Sequence, residues 1–405
     1  MGNVVVIPLA PAVIDRELPS EEAFDLLALT RDLVRGELLP QVNAAESAGA
    51  FPRAVFTTLG EAGLLSLPYP HRYGGGEQPA VVYLQVVEEL ARAWLGVAMG
   101  VSVHVLSCHG LVNYGTDEQK DRWLPDLLGG RLLGAYCLSE PQGGSDPGAM
   151  LTSAVRDGDT YVINGEKAWI THGPVADFYL LMARTGEPGP RGISSFLVPG
   201  GTPGIEAGIN ERKMGVRSSV TSSVRFENVR IDADRRLGAE GKGFAIAMSA
   251  LDSGRLGIAA CAVGLAQAAL DVAAEYARTR RAFGSLISDF QGVSFLLADA
   301  ASKIASARQL YLYAARRKDV GKSFSTEAAM AKLIATDMAM AVTTDMVQVL
   351  GGAGYVEDYP VERYMREAKL LQIVEGTNQI QRLVIARSLN RITREARNRA
   401  TGETS

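Results

Sequence analysis

Apolar positions along this chain change their period twice. From residue 20 to about 130, and again from about 243 to 395, they recur every three or four residues, the repeat of one helix face. Between about 132 and 240 they fall in short runs rich in β-branched and aromatic residues, punctuated by Gly and Pro. The pattern predicts an α+β chain: an N-terminal all-α domain (20–131), a middle antiparallel β-barrel or sandwich (132–240) and a C-terminal four-helix bundle (241–392). An N-terminal extension (1–19) and a charged tail (393–405) flank them.

Local signals sharpen this. Pro19-Ser20-Glu21-Glu22 predicts a capped helix start with acids in its first turn. Pro52 suits the first position of a helix carrying residues 55–64, and Thr116-Asp117-Glu118-Gln119 predicts a capping box ahead of Trp123 and Leu124. Asn164-Gly165, between Tyr161-Val162-Ile163 and Ala168-Trp169-Ile170, predicts a tight hairpin, and Asp157-Gly158 another turn. Residues 178–182, 193–198 and 222–231 predict further strands. In the bundle, Val293, Leu297, Ala300, Ile304, Ala307, Tyr311 and Ala314 form one apolar stripe. Leu333, Thr336, Met340, Thr343, Val347 and Leu350 form a second, closed by Gly351-Gly352. Helices this apolar need neighbours, and apolar surface left over favours oligomerisation.

Composition narrows the function. The chain has 405 residues, 47% hydrophobic and 21% charged, with a net charge of −4. That balance gives no field for gathering nucleic acid or an anionic membrane. Cys108, Cys137 and Cys261 lie far apart, which fits a reducing compartment. His71, His104, His109 and His172 lack metal-ligand spacing, so no metal site is expected. The apolar stretch at 4–9 lacks a basic flank, and the longest apolar runs carry Ser, His, Arg or Gln. A soluble, cytoplasmic protein is expected. No G-x-G-x-x-G follows a strand; Gly74-Gly75-Gly76 and Gly351-Gly352-Ala353-Gly354 lack that context, so any nucleotide cofactor is held in some other way.

The segment Ile373-Val374-Glu375-Gly376-Thr377-Asn378-Gln379-Ile380-Gln381-Arg382 carries the most chemistry. Glu375 follows an apolar run (Leu370, Leu371, Ile373, Val374) and precedes a glycine. A carboxylate stripped of water has a raised pKa, which suits a base working near neutral pH. Taken alone, such a glutamate is more often the solvated end of a helix or strand than a base.

Two further segments decide between these readings: Tyr136-Cys137-Leu138-Ser139-Glu140-Pro141-Gln142-Gly143-Gly144-Ser145-Asp146, and Asn164-Gly165-Glu166-Lys167-Ala168-Trp169-Ile170-Thr171. With Glu375-Gly376-Thr377 they resemble the acyl-CoA dehydrogenase family, in order and spacing, from about residue 20 to 392. The resemblance implies FAD held without a Rossmann fold. Tyr136, Leu138 and Ser139 would meet the flavin's polar edge, and Trp169, Ile170 and Thr171 would pack on and bond to the ring. Alone, Trp169 reads as a sheet-core aromatic. Gly144 and Ser145 would admit the FAD pyrophosphate and the thioester. Arg280, Phe283 and Gln291 would reach a neighbouring subunit's FAD, as would Gln348, Gly351 and Gly352. Thr377 and Gln379 would touch the cofactor beyond the catalytic turn. For substrate, the resemblance implies Ser145, Asp252, Arg255 and Gly376. Asp252 and Arg255, three apart, also read as a plain intrahelical pair. Arg217, in Met214-Gly215-Val216-Arg217-Ser218-Ser219, takes a structural role.

The activity implied is α,β-dehydrogenation of an acyl-CoA to a trans-2-enoyl-CoA. Glu375 would take the α-proton, a hydride would pass to the flavin, and an electron-transferring flavoprotein would be the acceptor. The assembly would be a homotetramer, with a dimer as the minimal unit. Some members draw their base from the residue before the substrate-helix arginine; Gly254 stands there and cannot serve. His172 stands where the family often has asparagine, and Pro147 follows Asp146. Rival readings are a flavin oxidase or monooxygenase on the same fold, and a non-catalytic acyl-CoA-binding protein.

Overall fold

The computed structural model describes residues 16–401, with side chains through residue 393. The apolar stretch at 4–9 and the last four residues lie outside that range. Six helices come first: α1 (Glu21–Leu33), α2 (Val42–Ala48), α3 (Arg53–Glu61), α4 (Ala80–Ala93), α5 (Leu95–Tyr114) and α6 (Asp117–Leu128). Ser20 caps α1, its Oγ accepting from Ala23 N–H at 3.2 Å. The capping box on α6 closes in both directions, Thr116 N–H to Gln119 Oε1 at 2.8 Å and Gln119 N–H to Thr116 Oγ1 at 3.2 Å. Pro52 is the N-cap of α3, one position earlier than expected, and α3 ends at Glu61, short of Leu64.

Eight strands follow: β1 (Gly134–Cys137), β2 (Ser153–Asp157), β3 (Thr160–Thr171), β4 (Phe178–Arg184), β5 (Ile193–Pro199), β6 (Ile205–Ala207), β7 (Thr221–Asp232) and β8 (Arg236–Leu237). They join in one sheet, in the order β6-β7-β3-β2-β4-β5-β8, with β1 added parallel to β4. The hairpin expected at Asn164-Gly165 does not form. β3 runs straight through it, and the hairpin sits earlier, between β2 and β3, where Gly158 takes a φ of 62°. Gly165 serves close approach instead: a β-carbon there would lie 2.5 Å from Thr152 Oγ1. Asn164 marks an irregularity against β7, its Oδ1 accepting from Asn228 N–H at 2.8 Å.

Helix α7 (Gly243–Thr279) opens the last region and is followed by a short hairpin, β9 (Arg281–Ala282) and β10 (Ser285–Leu286). Then come α8 (Gln291–Asp319), α9 (Ser325–Leu350), α10 (Val361–Leu371) and α11 (Asn378–Thr401), so α11 runs through the 392/393 boundary drawn from the sequence. The α8 stripe is buried from Ala300 to Ala314. On α9 half of the expected stripe is buried (Thr336, Thr343 and Leu350) and half is half-buried (Leu333, Met340 and Val347), while Ala335, Ala339, Val342, Met346 and Val349 complete the buried face. Small residues at the centre let α9 lie close along α7.

Among the described residues, α5, α7 and α9 are long and apolar enough to cross a membrane by length and composition. Their apolar surface is used internally: α5 and α7 are almost wholly enclosed. One apolar core runs through both helical regions and a second lies within the sheet. Glu46 of α2 ties helices to sheet, accepting from Trp94 Nε1 (2.9 Å), Ser218 Oγ (2.5 Å) and Arg217 N–H (2.6 Å). Arg217 thus acts structurally through its backbone, while its side chain is exposed.

Candidate active site

The site is built around the turn joining α10 to α11. Glu375 and Gly376 are both left-handed, with φ of 52° and 91°. For a glutamate that conformation is strained and needs outside support. The Gly376 carbonyl accepts from Gln381 Nε2 at 2.7 Å and from Lys332 Nζ at 3.1 Å. Asn378 N–H donates to Gln372 O at 3.0 Å, closing the turn.

This backbone sends the Glu375 side chain inward. Both carboxylate oxygens are buried with no hydrogen-bond partner among the described residues. Burial pushes the carboxyl up to about 7, with Lys332 and Arg255 pulling the other way. The carboxylate lies against α7 at Gly254, where a β-carbon would fall 1.9 Å from Oε2. Beside it, Arg255 is 5% exposed and bonds Asp252 Oδ1 at 2.6 Å, and Asp252 also accepts from Ser325 Oγ at 2.8 Å. The intrahelical pair expected from spacing therefore exists, turned toward the site. Gly254 also lines a cavity of about 260 Å³ with Tyr83, Leu84, Ser102, Leu106 and Ser253.

The sheet reaches this centre through β1. Tyr136 donates to Ala247 O at 3.2 Å, and its phenol is pushed up first by burial and then by the charge of Glu375. Leu138 is buried and Ser139 half-buried, while Gly144 and Ser145 are exposed on the loop that follows. The β1–loop junction is pinned by a buried pair the sequence reading passed over. Lys167 Nζ reaches Glu140 Oε1 at 2.8 Å and Leu138 O at 3.1 Å, and Glu140 also takes the N–H groups of Leu151 (2.6 Å) and Thr152 (3.0 Å). Both residues stand in the two quoted motifs, but their polar neighbours, Ser139 and Gln142 on one side and Glu166 on the other, gave no sign that they would be buried together.

Trp169 is not a core aromatic. It is 65% exposed, with a φ of 61°, at an irregularity of β3 against β7. A large ring held out of a sheet by a left-handed backbone offers a flat face to a planar ligand. Ile170 is buried behind it and Thr171 half-buried. Arg280, Phe283 and Gln291 gather elsewhere, around the β9–β10 hairpin and the start of α8. All three are exposed, Phe283 by 98% at a φ of 50°. Gln348, Gly351 and Gly352 are exposed at the end of α9, with Thr377 half-buried and Gln379 exposed beyond the catalytic turn. Among the described residues, no hydrogen bond joins the Arg280 and Gln348 groups to the Glu375 turn. Lys332 was missed outright: it sits one position off the expected stripe of α9, fully buried. No cluster of His, Cys, Asp or Glu among the described residues could hold a metal.

Comparison with known proteins agrees with this geometry. Models of the acyl-CoA dehydrogenase N-terminal, middle and C-terminal domains match residues 20–131, 135–229 and 241–390. An acyl-CoA dehydrogenase of Bacillus subtilis is 41% identical over 372 residues, covering 91% of this chain and 98% of its own. The butyryl-CoA dehydrogenase structure from Megasphaera elsdenii superimposes with a TM-score of 0.90 at 41% identity, over 93% of this chain and 100% of that one. A chain from work on the electron transferring flavoprotein of Acidaminococcus fermentans and flavin-based electron bifurcation gives the same TM-score of 0.90 at 42% identity, over 93% and 99%. The three domains, in this order and around this turn, place the chain in the acyl-CoA dehydrogenase family, a family of flavin-dependent oxidoreductases.

Proposed function

We propose that this chain is an FAD-dependent dehydrogenase of acyl-CoA thioesters with Glu375 as its base. The observation that carries the reading is the Glu375 carboxylate, buried, without a hydrogen-bond partner among the described residues and seated over Gly254. A carboxylate left unsolvated in this way is a stronger base than one in water, and no partner competes for the lone pair that takes the α-proton. The Glu375 N–H finds no acceptor among the described residues and is free to meet the thioester oxygen as negative charge develops there. Enclosure by α4, α5 and α7 excludes water from the reacting carbons. Arg255 and Asp252 hold the thioester end from α7.

The residues fit FAD. Trp169 presents an open ring face, Tyr136 to Ser139 offer backbone along β1, and the loop at Gly144 has room for a phosphate to approach. When bound, FAD supplies the acceptor for the hydride that leaves the β-carbon. Arg280, Phe283 and Gln291, exposed and remote from Glu375 within one chain, suit the cofactor of a second subunit. Arginine's planar fork matches pyrophosphate oxygens. A dimer would thus complete the site, within a tetramer. The likeness to a chain studied with an electron transferring flavoprotein supports that class of protein as electron acceptor, and the likeness to a butyryl-CoA dehydrogenase makes short acyl chains the first to test.

The decisive experiment is anaerobic mixing of the FAD-loaded protein with a panel of acyl-CoAs. Wild type bleaches the flavin absorbance, while Glu375→Gln stays yellow and does not bleach. Bleaching by that variant at the wild-type rate refutes the assignment of the base. A parallel run in air-saturated buffer identifies an oxidase instead, if dissolved oxygen is reduced to peroxide without a carrier at the rate of bleaching.

A further inference from the structure

We infer that Lys332 is a positioning residue for the proposed base: its buried ammonium clamps the Gly376 carbonyl and so fixes the turn that aims Glu375 into the site. The inference rests on the reading of Glu375 as base.

Lys332 is 0% exposed, on the alanine-rich face of α9. A lysine there gives up its hydration, which demands partners. Among the described residues no carboxylate lies within ion-pair distance of it. Its bonds go to the Gly376 carbonyl at 3.1 Å and to Asn378 Oδ1 at 2.9 Å. Asn378 is in turn fixed by α9, donating to Thr336 Oγ1 at 2.9 Å and Asp337 Oδ1 at 2.6 Å. One helix therefore holds both ends of the Gly376–Asn378 segment. The turn has two successive left-handed residues, and its closing bond, Asn378 N–H to Gln372 O, leaves the Gly376 carbonyl to be held by side chains. Gln381 offers the second support, from α11. The cation thus lies behind the turn, near enough to act on the carboxylate electrostatically without capping either oxygen.

Other groups face the same space. Arg255 and Cys261 come from α7, Asp337 from α9, Tyr83 from α4 and Tyr136 from β1. Arg255 is already engaged by Asp252. Burial lowers Lys332 to about 7, with Glu375 and Asp337 opposing. Lys332 and Arg255 are the two cations that restrain the rise of Glu375.

The test separates proton abstraction from hydride transfer. A 3-thiaacyl-CoA has sulfur in place of the β-carbon, so its α-proton can leave but no hydride can follow. Deuterium uptake at its α-carbon from D2O, read by mass spectrometry, reports the base alone. FAD-loaded Lys332→Met is expected to bind the thioester normally and to exchange the α-hydrogen roughly tenfold to hundredfold more slowly, as a misplaced group does. The acid limb of its kcat/KM profile moves to higher pH, because a neighbouring cation is gone, and kcat falls with KM unchanged. Lys332→Arg keeps the charge and restores that limb, with kcat still reduced because the fork cannot reproduce the lysine bonds. Wild-type exchange and an unmoved acid limb in Lys332→Met overturn the inference while leaving Glu375 as base. Undiminished exchange in Glu375→Gln overturns both. Should Lys332→Met fail to fold, Lys332→Arg decides: reduced kcat on a wild-type pH limb supports the clamp, and wild-type kcat overturns it.

Discussion

Glu375 and Gly254 share one volume: the carboxylate Oε2 of the first occupies the space a β-carbon on the second would need, 1.9 Å away. The glycine is therefore a steric requirement of the base. Since the obstructing atom is the tip of a flexible side chain, Gly254→Ala is expected to fold. The carboxylate moves instead, and a displacement of about 1 Å lowers kcat roughly a hundredfold. Circular dichroism and anaerobic flavin bleaching, measured together, check both halves.

The pH dependence of bleaching should follow the protonation of Glu375. Its ordinary value lies near 4.5, and burial raises it to about 7. Only the ionised form accepts a proton, so kcat/KM holds above pH 7 and falls about tenfold per unit well below it. Stopped-flow reduction between pH 5.5 and 9 measures the limb. A profile that stays flat down to pH 5.5 would show a solvated carboxylate.

Arg280→Ala tests the exposed patch beside β9. The side chain is exposed and no described residue depends on it, so the fold should stand. FAD affinity is expected to drop roughly tenfold to hundredfold through loss of a bidentate phosphate contact. Equilibrium dialysis of the flavin reads this directly, and unchanged affinity counts against a shared cofactor site.

His172 should make stability sensitive to mild acid. The ring is wedged edge-on to Phe51 and Phe56, with Nδ1 donating to Gly134 O at 3.0 Å and Nε2 unpartnered. Burial lowers it from 6.5 to about 4, so the folded state binds the proton more weakly than the unfolded one. Its contribution is present above pH 6.5 and is lost as pH falls from 6.5 through 4, roughly 2 kcal/mol of it by pH 5. Urea unfolding at pH 7 and pH 5 measures the change, and His172→Asn should shrink it by that amount, leaving the contributions of His104 and His109, which burial also lowers, to about 3 and about 4.

Glu88→Ala should be the most destabilising of these substitutions. Glu88 is fully buried and accepts from Arg308 (2.9 Å), Arg16 (2.8 Å) and Tyr311 (2.5 Å), joining α4 to α8 and to the segment before α1. Removing the anion leaves the buried Arg308 with only the neutral Gln267 and Arg16 with Glu89 alone, at a cost of about 3–5 kcal/mol. A fall in the urea midpoint at unchanged m-value is the expected result.

The order of helices, sheet and helices was legible because amphipathic periods of 3.6 and 2 survive in one dimension. The caps at Ser20 and Thr116 were legible because capping is a local contract between residues three apart. The hairpin at Asn164-Gly165 was misread because that dipeptide also serves a bulge, and only the approach of Thr152 shows which applies. The α9 stripe was only half right because alanine and lysine carry little or no apolar signal, although α7 lies against that face.

The sequence by itself determined the three-part architecture, the family resemblance and Glu375 as the residue of interest, through patterns spanning a few residues each. Tertiary structure alone decided that the carboxylate is buried with no partner among the described residues, that Gly254 makes room for it from 121 positions away, and that Lys332 stands behind its turn. It also decided that Trp169 faces outward. Burial and proximity between distant segments are properties of packing, and a linear pattern holds no record of which helix face meets which turn.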